Sequence, residues 1–232
     1  MSIPYISLDQ VKDVNAKAEE YGLTLTQMTE NSGSAIADVL AQMIDSTAPV
    51  VFLVGKGGNG ASALVVARFL VNRGHEVRIV LTREDGYIPE VAQNVQILKK
   101  MGVAMFRAEQ LDQVPRPGII VDGMLGAGLQ GVAKGSEEQC ITWANEQSCL
   151  VLAIDMPSGM DTTHGVYSDT VVRADVTVSQ GLPNTGLTKT NSRQYTGIVR
   201  VVDNGIPLEC YREAGVEIGD FRFPSQIMNL GS

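Results

Sequence analysis

Five residues, Leu150 to Ile154, form an unbroken apolar run into Asp155, and the chain then turns through Met156-Pro157-Ser158-Gly159-Met160-Asp161. A run of this kind reads as a strand buried on both faces. Pro157 and Gly159 end it. A carboxylate, a hydroxyl and a second carboxylate therefore sit just past the carboxyl end of a core strand. In open α/β sheets, ligands bind there. Two more apolar runs end in glycine-rich polar loops. Residues 50–54 lead into Gly55-Lys-Gly-Gly-Asn59-Gly60, and residues 118–121 lead into Asp122-Gly-Met-Leu-Gly126-Ala-Gly128. Such loops along one sheet edge predict a small-molecule site.

Between these runs the pattern alternates. Helices are predicted over 8–21 and 27–44, and Ile36, Val39, Leu40 and Met43 share one face of the second. Ser7 to Gln10 has the pattern of a capping box, and Gly22 is placed to stop the first helix. Strands at 50–54, 76–81, 104–106, 119–121 and 150–154 then alternate with helices near 61–72, 90–101 and 136–146. Apolar runs at 171–178 and 197–202 predict further strands. The alternation implies a mainly parallel sheet of about seven or eight strands, covered on both faces. Glu30 and Asn31 are expected to cap a local turn. From Glu209 no periodicity is visible, and 209–232 is expected to be a tail packed on the same domain.

Charge and composition exclude several partners. The formal net charge is −8, and no basic cluster exceeds Lys99-Lys100, which argues against nucleic acid and anionic membranes. No apolar run approaches the roughly 18 residues of a membrane span. The start, Met1-Ser-Ile-Pro-Tyr, lacks the pattern of a signal peptide. Cys140, Cys149 and Cys210 are odd in number and lack metal-site spacing. A cytoplasmic location is the expectation.

Taken in order, the loops resemble the YjeF N-terminal domain family, the NAD(P)HX epimerases. The family's GPGNNGGDG loop is matched by GKGGNGASA at 55–63, and its VDALFGTGL-like stretch by VDGMLGAGL at 121–129. Its DIPSGLD turn is matched by DMPSGMD at 155–161. Met28-Thr-Glu-Asn-Ser-Gly33, Arg173-Ala-Asp-Val-Thr-Val178 and Val201-Val-Asp-Asn-Gly-Ile-Pro207 resemble three further family segments. The resemblance spans roughly residues 6 to 208 and implies a domain over 1–208. It implies a Rossmann-like, three-layer α/β/α fold with extra N-terminal helices. It also implies an isomerase that interconverts the R and S forms of hydrated NADH and NADPH, often as a homodimer, alongside a separate NAD(P)HX dehydratase.

By the same resemblance, Asn59, Asp122 and Ser158 would hold one potassium ion. Their hard oxygen donors suit an alkali cation. Substrate would bind at Gly58, Asn59, Gly60, Ala61 and Ser62, at Gly126, Ala127, Gly128, Leu129, Gln130, Gly131 and Val132, and at Asp155. Asp155 would be the catalytic acid and base, with Asp161 in reserve. The chain departs from the family in its first loop. The family's Asp is Ser62 here, the glycine before it is Ala61, and the first Asn is Gly58. Loss of that carboxylate predicts weaker or altered activity. The alternative is a member that binds a nucleotide-like ligand or a protein partner without catalysis.

Gly55-x-Gly57-x-x-Gly60 also fits a dinucleotide fingerprint, with Glu84 as ribose acceptor, which would suggest a hydride-transferring enzyme. That motif normally follows the first strand of a domain, whereas two helices precede it here. Ser158 lacks a GxSxG elbow, which argues against a serine nucleophile.

Overall fold

The first predicted strand is buried at every position (β1, Val50–Val54), and the sheet is built outward from it. A computed structural model of the chain describes residues 3–44, 47–129, 131–166, 168–223 and 228–229. On one side of β1 lie β2 (Val77–Leu81) and β3 (Ala104–Arg107). On the other lie β4 (Ile119–Gly123), β5 (Leu150–Ile154), β6 (Val176–Gln180), β7 (Ile198–Val202) and β8 (Met228–Asn229). The order is β3-β2-β1-β4-β5-β6-β7-β8. Strands β1 to β7 pair in parallel, and β8 runs antiparallel to β7. The order reverses between β1 and β4, which is where such sheets open a crevice at their carboxyl ends.

Successive side chains of β1 feed opposite faces, as pleating requires. Val50, Phe52 and Val54 pack with Ile36 and Leu40 of α2 (Leu25–Ala41), with Leu64 and Leu70 of α3 (Gly58–Asn72), and with Val91 and Leu98 of α4 (Pro89–Lys100). Val51 and Leu53 pack with Cys140, Ile141 and Ala144 of α5 (Ser136–Glu146). This is the predicted three-layer arrangement. Among the described residues, the remaining α-helices are α1 (Leu8–Glu20), α6 (Arg193–Thr196) and α7 (Leu208–Glu213).

Local signals set the boundaries. The Ser7/Gln10 capping box is formed, and Gly22 ends the turn after α1 at φ +86°. Helix α2 starts at Leu25, earlier than position 27, because Thr24 and Gln27 form a second capping box. Helix α3 starts at Gly58, earlier than position 61, so the glycine loop is itself the first helical turn. The strand predicted from 171 starts only at Val176. Val171 and Val172 are buried by packing instead, and the Val172 amide donates to the Ser158 carbonyl at 2.9 Å. The tail is more regular than its sequence pattern. Helix α7 packs against α1, and Tyr211, Val216, Ile218 and Phe221 join Val14, Ala18 and Met28 in one cluster.

Candidate functional site

A cleft of about 480 Å³ lies over the carboxyl ends of β1, β4, β5 and β6. Its wall on the sheet side is made by the loops after β1 and β4, by Asp155 and by Gln180. Helices α1 and α2 supply residues between Val11 and Ser32. The extra N-terminal helices thus form part of the site. The loops interlock closely. The Gly55 amide donates to the Gly123 carbonyl at 3.1 Å, and a Cβ on Gly55 would lie 1.9 Å from the Met124 carbonyl oxygen. A Cβ on Gly126 would lie within 2.6–2.8 Å of the Asn59 amide group. The contact at Gly55 is with backbone and requires glycine, whereas that at Gly126 is with the end of a side chain.

Of the residues the sequence assigns to substrate, Gly58, Asn59, Ser62, Gly126, Ala127, Gly128, Leu129 and Asp155 line the cleft. Gly60 and Ala61 do not. They are buried in α3, whose helical turn directs them toward the loop behind; a Cβ on Gly60 would lie 2.0 Å from the Gly55 carbonyl oxygen. Gly131 and Val132 lie outside the lining, with Val132 exposed on the surface after a turn at Gly131 (φ +83°). Gln130 lies outside the described residues. Glu84 is exposed and outside the cleft lining, so the ribose-acceptor role of a dehydrogenase has no support there.

Asp155 is the one non-glycine residue with positive φ (+67°) among those described. Such backbone costs on the order of 1–3 kcal/mol and concentrates at functional positions. The Asp155 amide donates to the Val178 carbonyl at 2.7 Å, which holds the conformation. Burial pushes the carboxyl up to about 6, against a hydrogen bond from the Ala127 amide. Asn184 Nδ2 lies 3.4 Å from its Oδ1. Asp161 is different. It is outside the cleft lining, and its Oδ1 accepts from the Thr163 and His164 amides at 2.8 and 2.7 Å and meets His164 Nδ1 at 3.0 Å. Burial would raise its carboxyl, but these bonds outweigh burial and hold it below the ordinary value. Asp161 organises a loop.

Asp122 and Ser158 are joined directly. The Ser158 hydroxyl donates to Asp122 Oδ1 at 2.6 Å, and the Ser158 amide donates to Oδ2 at 2.7 Å. The Leu125 amide donates to Ser158 Oγ at 2.9 Å. Burial pushes the Asp122 carboxyl up to about 6, opposed by the bonds from Ser158 and Met124. Asn59 reaches this knot through the Leu125 carbonyl, to which its Nδ2 donates at 3.2 Å; a second bond goes to the Ile154 carbonyl at 2.9 Å. Its Oδ1 faces Gln180 Nε2 at 3.5 Å instead. The sequence predicts an oxygen donor from Asn59; here two carbonyls attract the nitrogen. A buried carboxylate, a hydroxyl and adjoining carbonyls are chemically suited to a hard monovalent cation. Asn59 would join them by turning its amide.

Ser62 is buried at the base of the cleft lining, and its hydroxyl donates to Gln180 Oε1 at 2.6 Å. Ser32 Oγ lies 2.8 Å from the same oxygen. The position where the family has a carboxylate is therefore tied to an amide at the end of β6. Sequence reasoning missed Gln180, because only the sheet brings residues 62 and 180 together. It also missed Lys56, which with Asp155 makes up the ionisable lining of the cleft among the described residues. The end of its own apolar run was the available signal for Gln180. Glu30 and Asn31 do not cap a turn. Glu30 pairs with Arg68 of α3 at 2.5 Å, and Asn31 Nδ2 donates to the Asn204 carbonyl at 3.3 Å.

The family model described as YjeF-related protein N-terminus matches residues 25–186. A protein of Cenarchaeum symbiosum named NAD(P)H-hydrate epimerase is 35% identical, over 91% of this chain and 99% of its own length. One of the same name from Rhodopirellula baltica is 28% identical, over 93% and 90%. A bifunctional NAD(P)H-hydrate repair enzyme of Salinibacter ruber is 32% identical, over 82% of this chain and 38% of its own length. Among solved structures, the yeast protein ynu0 superposes with a TM-score of 0.85 over 97% of this chain and 99% of its own, at 19% identity, and so shares the fold. The chain belongs to the family of YjeF-related protein N-termini.

Proposed function

We propose that this chain is an NAD(P)H-hydrate epimerase, an isomerase that interconverts the R and S forms of hydrated NADH and NADPH. The observation that carries the reading is Asp155: a cleft-lining carboxyl, held at positive φ and pushed up to about 6. The epimerase relatives, similar over nearly their whole length, support the same chemistry. A carboxyl titrating there can give and regain a proton near neutral pH. The protonated acid donates to the leaving hydroxyl, the C–O bond breaks, and the ring nitrogen shares its lone pair with the carbon. The carboxylate then offsets the cation. Water adds back to either face, returning its proton to Asp155.

The nucleotide part of the ligand has a suitable wall. Helix α3 has no side-chain cap at Gly57, so its first amides are free to meet a phosphate, with Lys56 beside them. Asp122, Ser158 and Asn59 would hold a potassium ion, which would supply a positive charge to the loops after β4 and β5. A homodimer, a cytoplasmic location and pairing with a separate dehydratase complete the reading; the bifunctional Salinibacter relative is consistent with that pairing. The test is to separate the R and S hydrates by chromatography after incubation with purified protein in potassium buffer. Equilibration of one isomer into both is the expected result, and no interconversion above the buffer rate would refute the reading. Light scattering at defined concentration tests the dimer.

A further inference from the structure

A second recess, of about 50 Å³, adjoins the cleft and borders Asp155. The two share Val11, Asn15, Asp155, Gln180 and Asn204, and the recess continues past Asp155 to Asn184 and Tyr211. Asn184 is only 2% exposed. Its Nδ2 is placed 3.4 Å from Asp155 Oδ1, and its Oδ1 has no hydrogen-bond partner in the protein. A buried amide oxygen is costly to leave unpaired. The space exceeds the roughly 10–15 Å³ that one water needs, and Asp155, Asn184, Gln180 and Asn204 supply polar partners.

We propose that this recess is a water site, in which an ordered water bonds to Asn184 Oδ1 and Asp155, and through which water reaches and leaves Asp155 while a ligand fills the cleft. The second half rests on the proposed epimerase reading. Loss of the hydroxyl takes one proton from Asp155, breaks the C–O bond with its electron pair on oxygen, and releases one water. Re-addition consumes one water and returns one proton to Asp155. A dinucleotide in the cleft would otherwise obstruct that exchange. Asn184 is a positioning residue in this scheme: it orients the Asp155 carboxylate on one side and the water on the other. It borders the recess and is outside the lining of the main cleft.

A high-resolution crystal structure of the intact chain tests the first half without reference to activity. An ordered water should lie about 3 Å from Asn184 Oδ1. A recess without ordered water overturns the proposal. The second half is tested with Asn184→Leu and Asn184→Ser, both checked for wild-type circular dichroism. Asn184→Leu should lower kcat about ten- to a hundredfold, the scale of a lost hydrogen bond to a charged group, and leave KM for the hydrate unchanged. Asn184→Ser, which keeps a hydroxyl and room for water, should recover most of that loss. Full kcat in Asn184→Leu, or a change confined to KM, overturns the route. If the wild type epimerises nothing, the epimerase reading and the route fall together, while the crystallographic water still stands or falls by itself.

Discussion

Asp155 joins three properties that no other carboxyl among the described residues shares: it lines the cleft, its backbone is left-handed, and burial raises its carboxyl to about 6. Asp155→Asn should lower epimerisation about 10²–10⁴-fold with the fold intact, measured by chromatographic turnover and circular dichroism. An amide cannot donate the proton or offset the cation. The pH dependence follows from the same group. The donating form predominates below about pH 6 and falls tenfold per unit above it, so kcat/KM should show an alkaline arm near 6 that Asp155→Asn removes. The stability effect has a definite sign. The folded value lies above the ordinary 3.8, so the contribution is complete below about pH 4 and is lost as pH rises through 6. Relative to wild type, Asp155→Asn should therefore gain stability between about pH 4 and pH 7, read from urea midpoints. Ser62 needs a revised expectation. From sequence alone, Ser62→Asp together with Ala61→Gly should raise activity. In the fold, a carboxylate there would face Gln180 Oε1, now 2.6 Å from the serine hydroxyl. The gain should appear only if the Gln180 amide turns over, and Gln180→Leu should abolish it in the same assay.

The elements meet at the site through loops that approach too closely at Gly55 for a side chain there. The turn after β1 presses against the turn after β4 at Gly55, where a Cβ would lie 1.9 Å from the Met124 carbonyl oxygen. Backbone cannot move aside as a flexible side chain can. Gly55→Ala should destabilise the protein by about 3 kcal/mol or more and separate the two loops, seen as a lower urea midpoint. Gly57→Ala is the control. It lies in the same loop with nothing within 4 Å and serves as the N-cap of α3. Its cost should stay under about 1 kcal/mol, the usual scale for exchanging a cap residue. Equal effects from the two would mean that close approach is not what selects glycine at position 55. The same close packing continues into α3, where a Cβ on Gly60 would lie 2.0 Å from the Gly55 carbonyl oxygen.

At the scale of the whole molecule, the knot of Asp122, Ser158, Leu125 and Asn59 ties three strand ends together around a buried carboxyl raised to about 6. A cation that binds only the folded state stabilises it by mass action, about 2.7 kcal/mol at a hundredfold excess over its Kd. For a chain of this size that corresponds to a rise in Tm of roughly 5–10 °C. Potassium chloride should produce that rise and lithium chloride should not; Asp122→Ala should lose the difference. Identical melting in both salts would remove potassium from the account. The sheet, its parallel sense and the strand-end loops are legible in the residue pattern, because buried parallel strands need continuous apolar runs and the turns need glycine and proline. The pattern also singles out Asp155, Asp122 and Ser158 as neighbours of one edge. Which loop residues face the cleft depends on the assembled fold, since a helical start at Gly58 turns Gly60 and Ala61 away from it. Only the tertiary structure joined Gln180 to Ser62, and Asn184 to Asp155, across 118 and 29 positions of chain. Local pattern carries the period of an element and the chemistry of a turn. Which distant polar groups share a buried partner depends on strand order, and no local period encodes that order.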